Sequence, residues 1–395
     1  CDHYRRFRDD VALMRELGIK AYRFSISWSR VLPEGTGTVN PKGLDFYERL
    51  VDELVAQGIE PLVTLYHWDL PAALDDRGGW LNPEVADWFA EYSRVVFRRL
   101  DGRVKMWATL NEPWVVSDGG YLFGALAPGH RSAFEATRCS HNLMRAHAAS
   151  VAAYRAEGHH RIGLVANIEP KYPASQSGED LAATRRADAY MNRQYLDAAI
   201  WGRYPEELAE IFGEAWPGWR ADEVAALRAP IDFLGINYYT RNVVRADEAG
   251  WPLRASPVRQ VHATQTESGW EVFPQGFRDT LLWVKKQYGD IPLYITENGA
   301  AFYDPPRAPP GGVQDPLRVD YLREHLRALH GAIQDGCDVR GYYVWSLLDN
   351  LEWSLGFSKR LGIVHVDYES QRRTPKASAR FYSEVISTHG RSLGP

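Results

Sequence analysis

The stretch Val104–Pro113, VKMWATLNEP, decides how the rest of the chain is read. It begins as a short apolar run of the kind that forms a buried strand, then stops abruptly on Asn111, Glu112 and Pro113. A carboxylate at the tip of a buried strand is unfavourable unless a partner or a reaction uses it. Leu293–Gly299, LYITENG, repeats the pattern and ends on Glu297 beside Asn298. Two apolar runs that each end in a glutamate next to an amide side chain suggest two acidic groups at the mouth of a β/α barrel. That is the end of such a fold where working residues collect.

Working outward from these two runs, an amphipathic helical pattern followed by a short β-like run recurs along the chain. The first segment, 2–17, puts Tyr4, Phe7, Val11, Met14 and Leu17 on one face and stops at Gly18. Strands are expected at 19–28, 60–68, 104–111, 162–168, 231–239, 293–296 and 339–347. Helices are expected at 41–56, 83–100, 134–156, 180–199, 205–212, 276–288, 318–333 and 374–388. Strict alternation without a change of composition argues for one domain over 1–395, with a parallel sheet and helices outside it. No GxGxxG follows the first strand, and polar residues cluster at strand carboxyl ends, so a (β/α)8 TIM barrel is favoured over a doubly wound sheet. Only seven strands are legible, and the opening helix has no strand before it. The first β-strand is therefore expected to be missing, leaving a gap with two unpaired edges. The polar stretch 247–271 and the Pro- and Gly-rich stretch 305–312 read as loops of the mouth.

Composition narrows the function. Lys and Arg are scattered and net charge is only −5, which argues against nucleic acid as a partner. Aromatic residues make up 12% of the chain, with 14 Trp and 21 Tyr, more than a core of this size needs. Part of that excess suits a pocket that packs rings against sugar faces. The three cysteines, Cys1, Cys139 and Cys337, form no CxxC and have no histidines at metal-ligand spacing. No apolar run is long enough to span a bilayer and no leader-like series opens the chain. The expected location is cytoplasmic, unless an N-terminal segment carried a signal. The expected partner is a small molecule, with no membrane contact; assembly into homo-oligomers stays open.

TLNEP (109–113), ITENG (295–299), YHWDLP (66–71), NYY (237–239) and WSLLDNLEW (345–353) occur in one order. With them the chain resembles glycoside hydrolase family one, the β-glucosidases and their relatives, over nearly its full length. The resemblance implies a (β/α)8 barrel and retaining hydrolysis of β-glycosides, with Glu112 as acid/base and Glu297 as nucleophile. It places Asn237 and Tyr239 beside the nucleophile, Trp345 under the sugar, and Glu352 and Trp353 on the far hydroxyls. Relatives that cleave 6-phospho-glycosides replace the glutamate at 352 with a smaller residue and have a tyrosine where Leu361 stands, so an unphosphorylated glycone is implied. Family members also begin with a strand carrying a QxEG motif, which this sequence lacks. A truncated product with weakened activity is therefore an expectation.

The residues support the same reading on their own chemistry. Retention needs one carboxyl to protonate the leaving oxygen and another, about 5 Å away, to attack the anomeric carbon. Trp107, Pro113 and Trp114 around Glu112 are expected to keep it protonated, while Arg23 and the Tyr239 phenol are expected to hold Glu297 ionised. His67, Trp68 and Asn111, at strand ends, are candidates for contacts to sugar hydroxyls. Asn167 either touches the leaving-group side or caps its strand. His159 and His160 read as a solvated helix terminus. Without HExxH, GxSxG or a phosphate loop, no metal or cofactor is expected. The expected function is a retaining β-glucosidase acting on cello-oligosaccharides or on aryl and alkyl β-glucosides, with glycosyl transfer to an alcohol as a branch. The alternative is a catalytically impaired sugar-binding barrel. A nicotinamide-dependent oxidoreductase is disfavoured for want of a glycine fingerprint.

Overall fold

The structure, a computed structural model, describes residues 1–394. Seven strands form one parallel sheet whose spatial order is the order of the sequence. They are β1 (Ala21–Ser25), β2 (Glu60–Tyr66), β3 (Met106–Asn111), β4 (Arg161–Asn167), β5 (Phe233–Asn237), β6 (Leu293–Asn298) and β7 (Val339–Val344). Leu62, Met106, Ala108, Val165, Phe233 and Tyr294, drawn from five strands, pack together with Tyr343 of β7 inside the curved sheet. Alternate residues such as Val63, Leu65 and Trp107 face outward into the core shared with the helices.

The helices follow the expected amphipathic logic. Val85–Leu100 buries Trp88, Phe89, Tyr92, Val96 and Phe97, one face at three- and four-residue spacing. Pro41, Pro113, Pro274 and Pro316 each open a helix, where a missing N–H leaves no bond unmade. The segment expected as one helix over 180–199 is instead Gly178–Asp188, a π turn at Ala189–Arg193, and Gln194–Trp201. The opening strand is shorter than expected, because Trp28–Val31 turns into helix and buries the Trp28 ring, whose Nε1 donates to the Gly35 carbonyl. Two small sheets escaped the sequence reading. One joins Lys171–Pro173, Asn242–Ala246 and Ala255–Pro257; the other pairs Val364–Val366 with Arg373–Pro375. Strand Arg373–Pro375 delays the last helix to Ala377–Ser387.

The expected gap is present. β1 pairs only with β2 and β7 only with β6. Between these two edges lies a cleft of about 290 Å3, lined by Tyr22, Phe24, Tyr343 and Leu347 and reaching Arg23, His67 and Trp345. The Tyr382 hydroxyl donates to the Tyr342 carbonyl on one edge. Elsewhere the sheet is closed, and its geometry resembles a TIM barrel.

Two features of the fold bear on the cavity at the carboxyl ends. Pairing slips by one residue between Ala108 and Asn111 on β3, and again on β6 between the pairs Ile236–Ile295 and Asn237–Glu297. Bulges of this kind re-aim the side chains that follow them, here Glu112 and Glu297. Behind the loops that follow β6 and β7 lies a buried set of three carboxylates and three cations: Asp304, Asp315, Asp349, Arg318, Arg360 and Lys376. Lys376 Nζ bridges Asp304 (2.6 Å) and Asp349 (2.9 Å), and Arg360 reaches Asp349 at 2.7 Å. Asp349 also accepts from the Gly362 and Val366 amides. The set ties the segment that leaves Glu297 to the loop that carries Trp345 and Glu352.

Candidate active site

A cavity of about 360 Å3 opens at the carboxyl ends of the strands, and both glutamates line it. Glu297 is held at both oxygens. Arg23, an inward residue of β1, donates from Nη1 to Oε1 at 2.6 Å, and the Tyr239 hydroxyl donates to Oε2 at 2.5 Å. The Arg23 and Glu297 side chains are each 5% exposed, so the pair lies in a medium that strengthens charge-assisted bonds. Arg23 also donates to Thr64 Oγ1 (3.1 Å), Asn111 Oδ1 (2.6 Å) and the Thr296 carbonyl (3.4 Å).

Glu112 has a different setting. It takes a left-handed backbone conformation (φ 47°) between the end of β3 and the helix that begins at Pro113, with its amide bonded to the Val165 carbonyl. Its carboxyl receives one donor, Asn237 Nδ2 at 2.6 Å. Burial first, and the nearby charge of Glu297 second, push its pKa up to about 8. The expected role of Trp107 in that environment is wrong. Trp107 precedes Glu112 by five residues on the outward face of β3, where it packs on Phe97 and bonds Asp101. Trp114 does line the cavity.

The remaining candidates converge on the same place. His67, Trp68, Asn237, Tyr239, Trp345, Glu352, Trp353 and Asn167 all line the cavity. Asn111 sits just behind it with both side-chain polar atoms engaged: Oδ1 receives Arg23 and Asn237, Nδ2 lies 3.1 Å from His67 Nε2, and its carbonyl takes the Trp68 indole N–H. His67 is held neutral by burial and by Arg23. Its ring stacks near Trp345 and Trp353, with centroids 5.8 and 6.0 Å away. Trp345 is set by its amide bond to the Asn298 carbonyl, and Gly299 allows that approach: a Cβ there would fall 1.8 Å from the Trp345 carbonyl oxygen. Glu352 is raised to about 7, by burial first and Glu297 second.

Several lining residues were not anticipated: Trp270, whose ring lies 4.9 Å from Tyr239, and Leu126, Glu169, Met191 and Thr240. Trp270 belongs to a stretch without periodicity, where the one hint is a tryptophan after glycine in a polar loop. The His159 and His160 amides bond Asp101 and Tyr154 near the end of helix Ala133–Glu157, outside the cavity lining. Among the described residues no group of three His, Cys, Asp or Glu side chains is arranged to hold a metal ion, the three cysteines are unpaired, and no helix is long and apolar enough to cross a membrane.

Two buried carboxylates in unlike hydrogen-bonding surroundings, set among tryptophans at the open end of a parallel β/α barrel, define a glycoside hydrolase. The sequence profile described as Glycosyl hydrolase family 1 matches residues 1–391. The chain belongs to that family. It is 48% identical over 394 residues to Beta-glucosidase A of Thermotoga maritima, covering 99% of this chain and 87% of the relative. It is 47% identical to the 1,4-beta-D-glucan glucohydrolase of Thermotoga neapolitana, covering 99% and 88%. Among solved structures, the beta-glucosidase of Thermotoga maritima in complex with deoxynojirimycin superposes with a TM-score of 0.96 at 47% identity, over 99% of this chain and 88% of that one.

Proposed function

We propose that the protein is a retaining β-glucosidase that removes unphosphorylated terminal β-D-glucosyl residues from cello-oligosaccharides or from aryl and alkyl β-glucosides. The observation that carries this reading is the division of labour in one cavity: Glu297 is held at both oxygens by donors, and Glu112 is pushed up to about 8. A Glu297 oxygen attacks the anomeric carbon while the bond to the aglycone oxygen breaks. That oxygen takes the Glu112 proton. Esterification removes the Glu297 charge that raises Glu112, so Glu112, now a carboxylate, is suited to take a proton from water. The water oxygen then attacks the same carbon, the ester breaks, and both carboxyls return to their starting states.

Substrate class follows from the lining. Trp345 and Trp353 offer apolar faces, and His67, Asn237, Tyr239 and Glu352 offer polar atoms. Glu352 and Leu361 both line the cavity, one a carboxyl that gives a phosphate no cation and the other a side chain that offers it no hydrogen bond. The names of the relatives above agree with a glucoside.

Glu297→Ala tests the assignment. It is expected to stop hydrolysis yet permit rescue by a small anion such as azide, giving a product of inverted configuration. Glu112→Ala is expected to retain turnover of aryl glucosides with good leaving groups. Equal losses on all substrates for both variants would overturn the roles. The cleft that reaches Arg23, His67 and Trp345 supports a second reading, a glycone-binding barrel with weakened turnover. Aryl β-glucoside turnover above the level of Glu297→Ala excludes it.

A further inference from the structure

Arg23 can only donate hydrogen bonds, and that fact propagates through the site. Its Nη2 meets Asn111 at 2.6 Å, so the atom of Asn111 that faces it is the carbonyl oxygen. Asn111 then presents its amino group to His67 Nε2, which must be an acceptor, leaving the His67 proton on Nδ1. Asn237 also approaches the Asn111 oxygen, at 3.1 Å, and must turn its amino group toward it. The same amino group is the donor to Glu112. The oxygen of Asn237 is thereby turned the other way, and there it meets one group, the Thr296 hydroxyl at 2.6 Å.

Thr296 occupies this place for a structural reason. It is the extra residue of the bulge between the pairs Ile236–Ile295 and Asn237–Glu297. Gly235 leaves room for it: a Cβ at 235 would lie 2.8 Å from Thr296 Cγ2 and 3.0 Å from its hydroxyl. Thr296 and Asn237 are each 1% exposed, so a buried amide oxygen that loses this donor is left unsatisfied at a cost. Thr296 does not line the cavity that holds Glu112 and instead borders the cleft between β1 and β7.

The geometry points to Thr296 as a positioning residue that locks the Asn237 amide with its amino group toward Glu112, and so sets the pH at which the acid/base gives up its proton. This rests on Glu112 being the acid/base. The donation from Asn237 stabilises the charged form of Glu112 and pulls its proton affinity down against burial. Freeing the amide weakens that donation, so the proton is held more tightly.

The test is the pH profile of kcat/KM on an aryl β-glucoside for the wild type, Thr296→Val, Thr296→Ser and Glu112→Ala. Thr296→Val keeps the shape and removes the donor, and its basic limb is expected to move up by about half a pH unit or more. Thr296→Ser restores the hydroxyl and is expected to follow the wild type. A Thr296→Val limb that superposes on the wild type, or a Thr296→Ser limb shifted as far as that of Thr296→Val, would overturn the proposal. If Thr296→Val folds without measurable turnover, 13C titration of the Glu112 carboxyl decides the matter: a raised midpoint supports the proposal and an unchanged one refutes it. Glu112→Ala separates the two layers. A basic limb that persists in it defeats the acid/base assignment itself, and the role of Thr296 toward Glu112 is then judged by the 13C titration alone.

Discussion

Two buried clusters of charge lie on either side of the loops that follow β6 and β7, and they are built on opposite principles. Behind the loops, Asp304, Asp315 and Asp349 are matched by Arg318, Arg360 and Lys376, and backbone groups take up further lone pairs and protons. In the cavity, Glu169 is paired with Lys171 and Glu297 with Arg23, while Glu112 and Glu352 have no cation in contact. Balance makes the first cluster scaffolding, since each buried charge there has an opposite charge in contact and removing either partner would leave the other uncompensated. Imbalance makes the second reactive. Burial first, and the charge of Glu297 second, hold protons on the other two, on Glu112 to about 8 and on Glu352 to about 7.

The contrast can be broken most severely at Glu297, the proposed nucleophile. Glu297→Ala is expected to reduce kcat by on the order of 10^4-fold or more while leaving the protein folded. Steady-state kinetics on aryl β-glucosides, with circular dichroism as the folding control, measures it. In the balanced cluster the expected consequence is the reverse. Asp349→Asn leaves Lys376 and Arg360 short of a counter-charge, and a loss of about 3–5 kcal/mol in unfolding free energy by urea denaturation is expected.

A smaller effect tests the price of the imbalance. Glu112 has a raised folded pKa, so the folded state binds more protons than the unfolded state from the ordinary value of 4.5 up to about 8, and stability falls with pH across that window. Glu112→Gln removes the penalty. Its Tm is expected to exceed that of the wild type by several degrees at pH 8 and to converge on it near pH 4, as followed by thermal melts. The activity of the wild type is expected to fall as pH rises through about 8, where Glu112, the proposed general acid, loses its proton. Least of all is expected from the surface. Arg307 and Glu369 form an ion pair with side chains 74% and 79% exposed, and Arg307→Ala should leave both Tm and kcat unchanged.

How much of this was legible before the structure depended on whether the physics was local. The seven strands stood out because buried parallel strands are short apolar runs, and Glu112 and Glu297 stood out because they end such runs. Arg23 was visible as a charge interrupting an apolar strand. Trp107 misled because neighbours along a strand point to opposite faces, and five residues with a bulge between them put it far from Glu112 in function. The bulge itself depends on the register of the partner strand, which no single stretch of sequence encodes, and Thr296 went unnoticed with it. Each member of the balanced cluster, taken alone, resembles an ordinary loop or helix-end charge; only the convergence of 304, 315–318, 349, 360 and 376 reveals it. The sheet of Lys171–Pro173, Asn242–Ala246 and Ala255–Pro257 has strands too short to carry an alternation.

The most direct test of the account is to trap the covalent intermediate. Incubation with a 2-deoxy-2-fluoro-β-glucoside carrying a good leaving group, followed by proteolysis and mass spectrometry, locates the glycosyl ester. The account predicts the label on Glu297, in the peptide containing Ile295–Gly299. A label on Glu112 or Glu352, or turnover of the unfluorinated glucoside with inversion at the anomeric carbon, would contradict it.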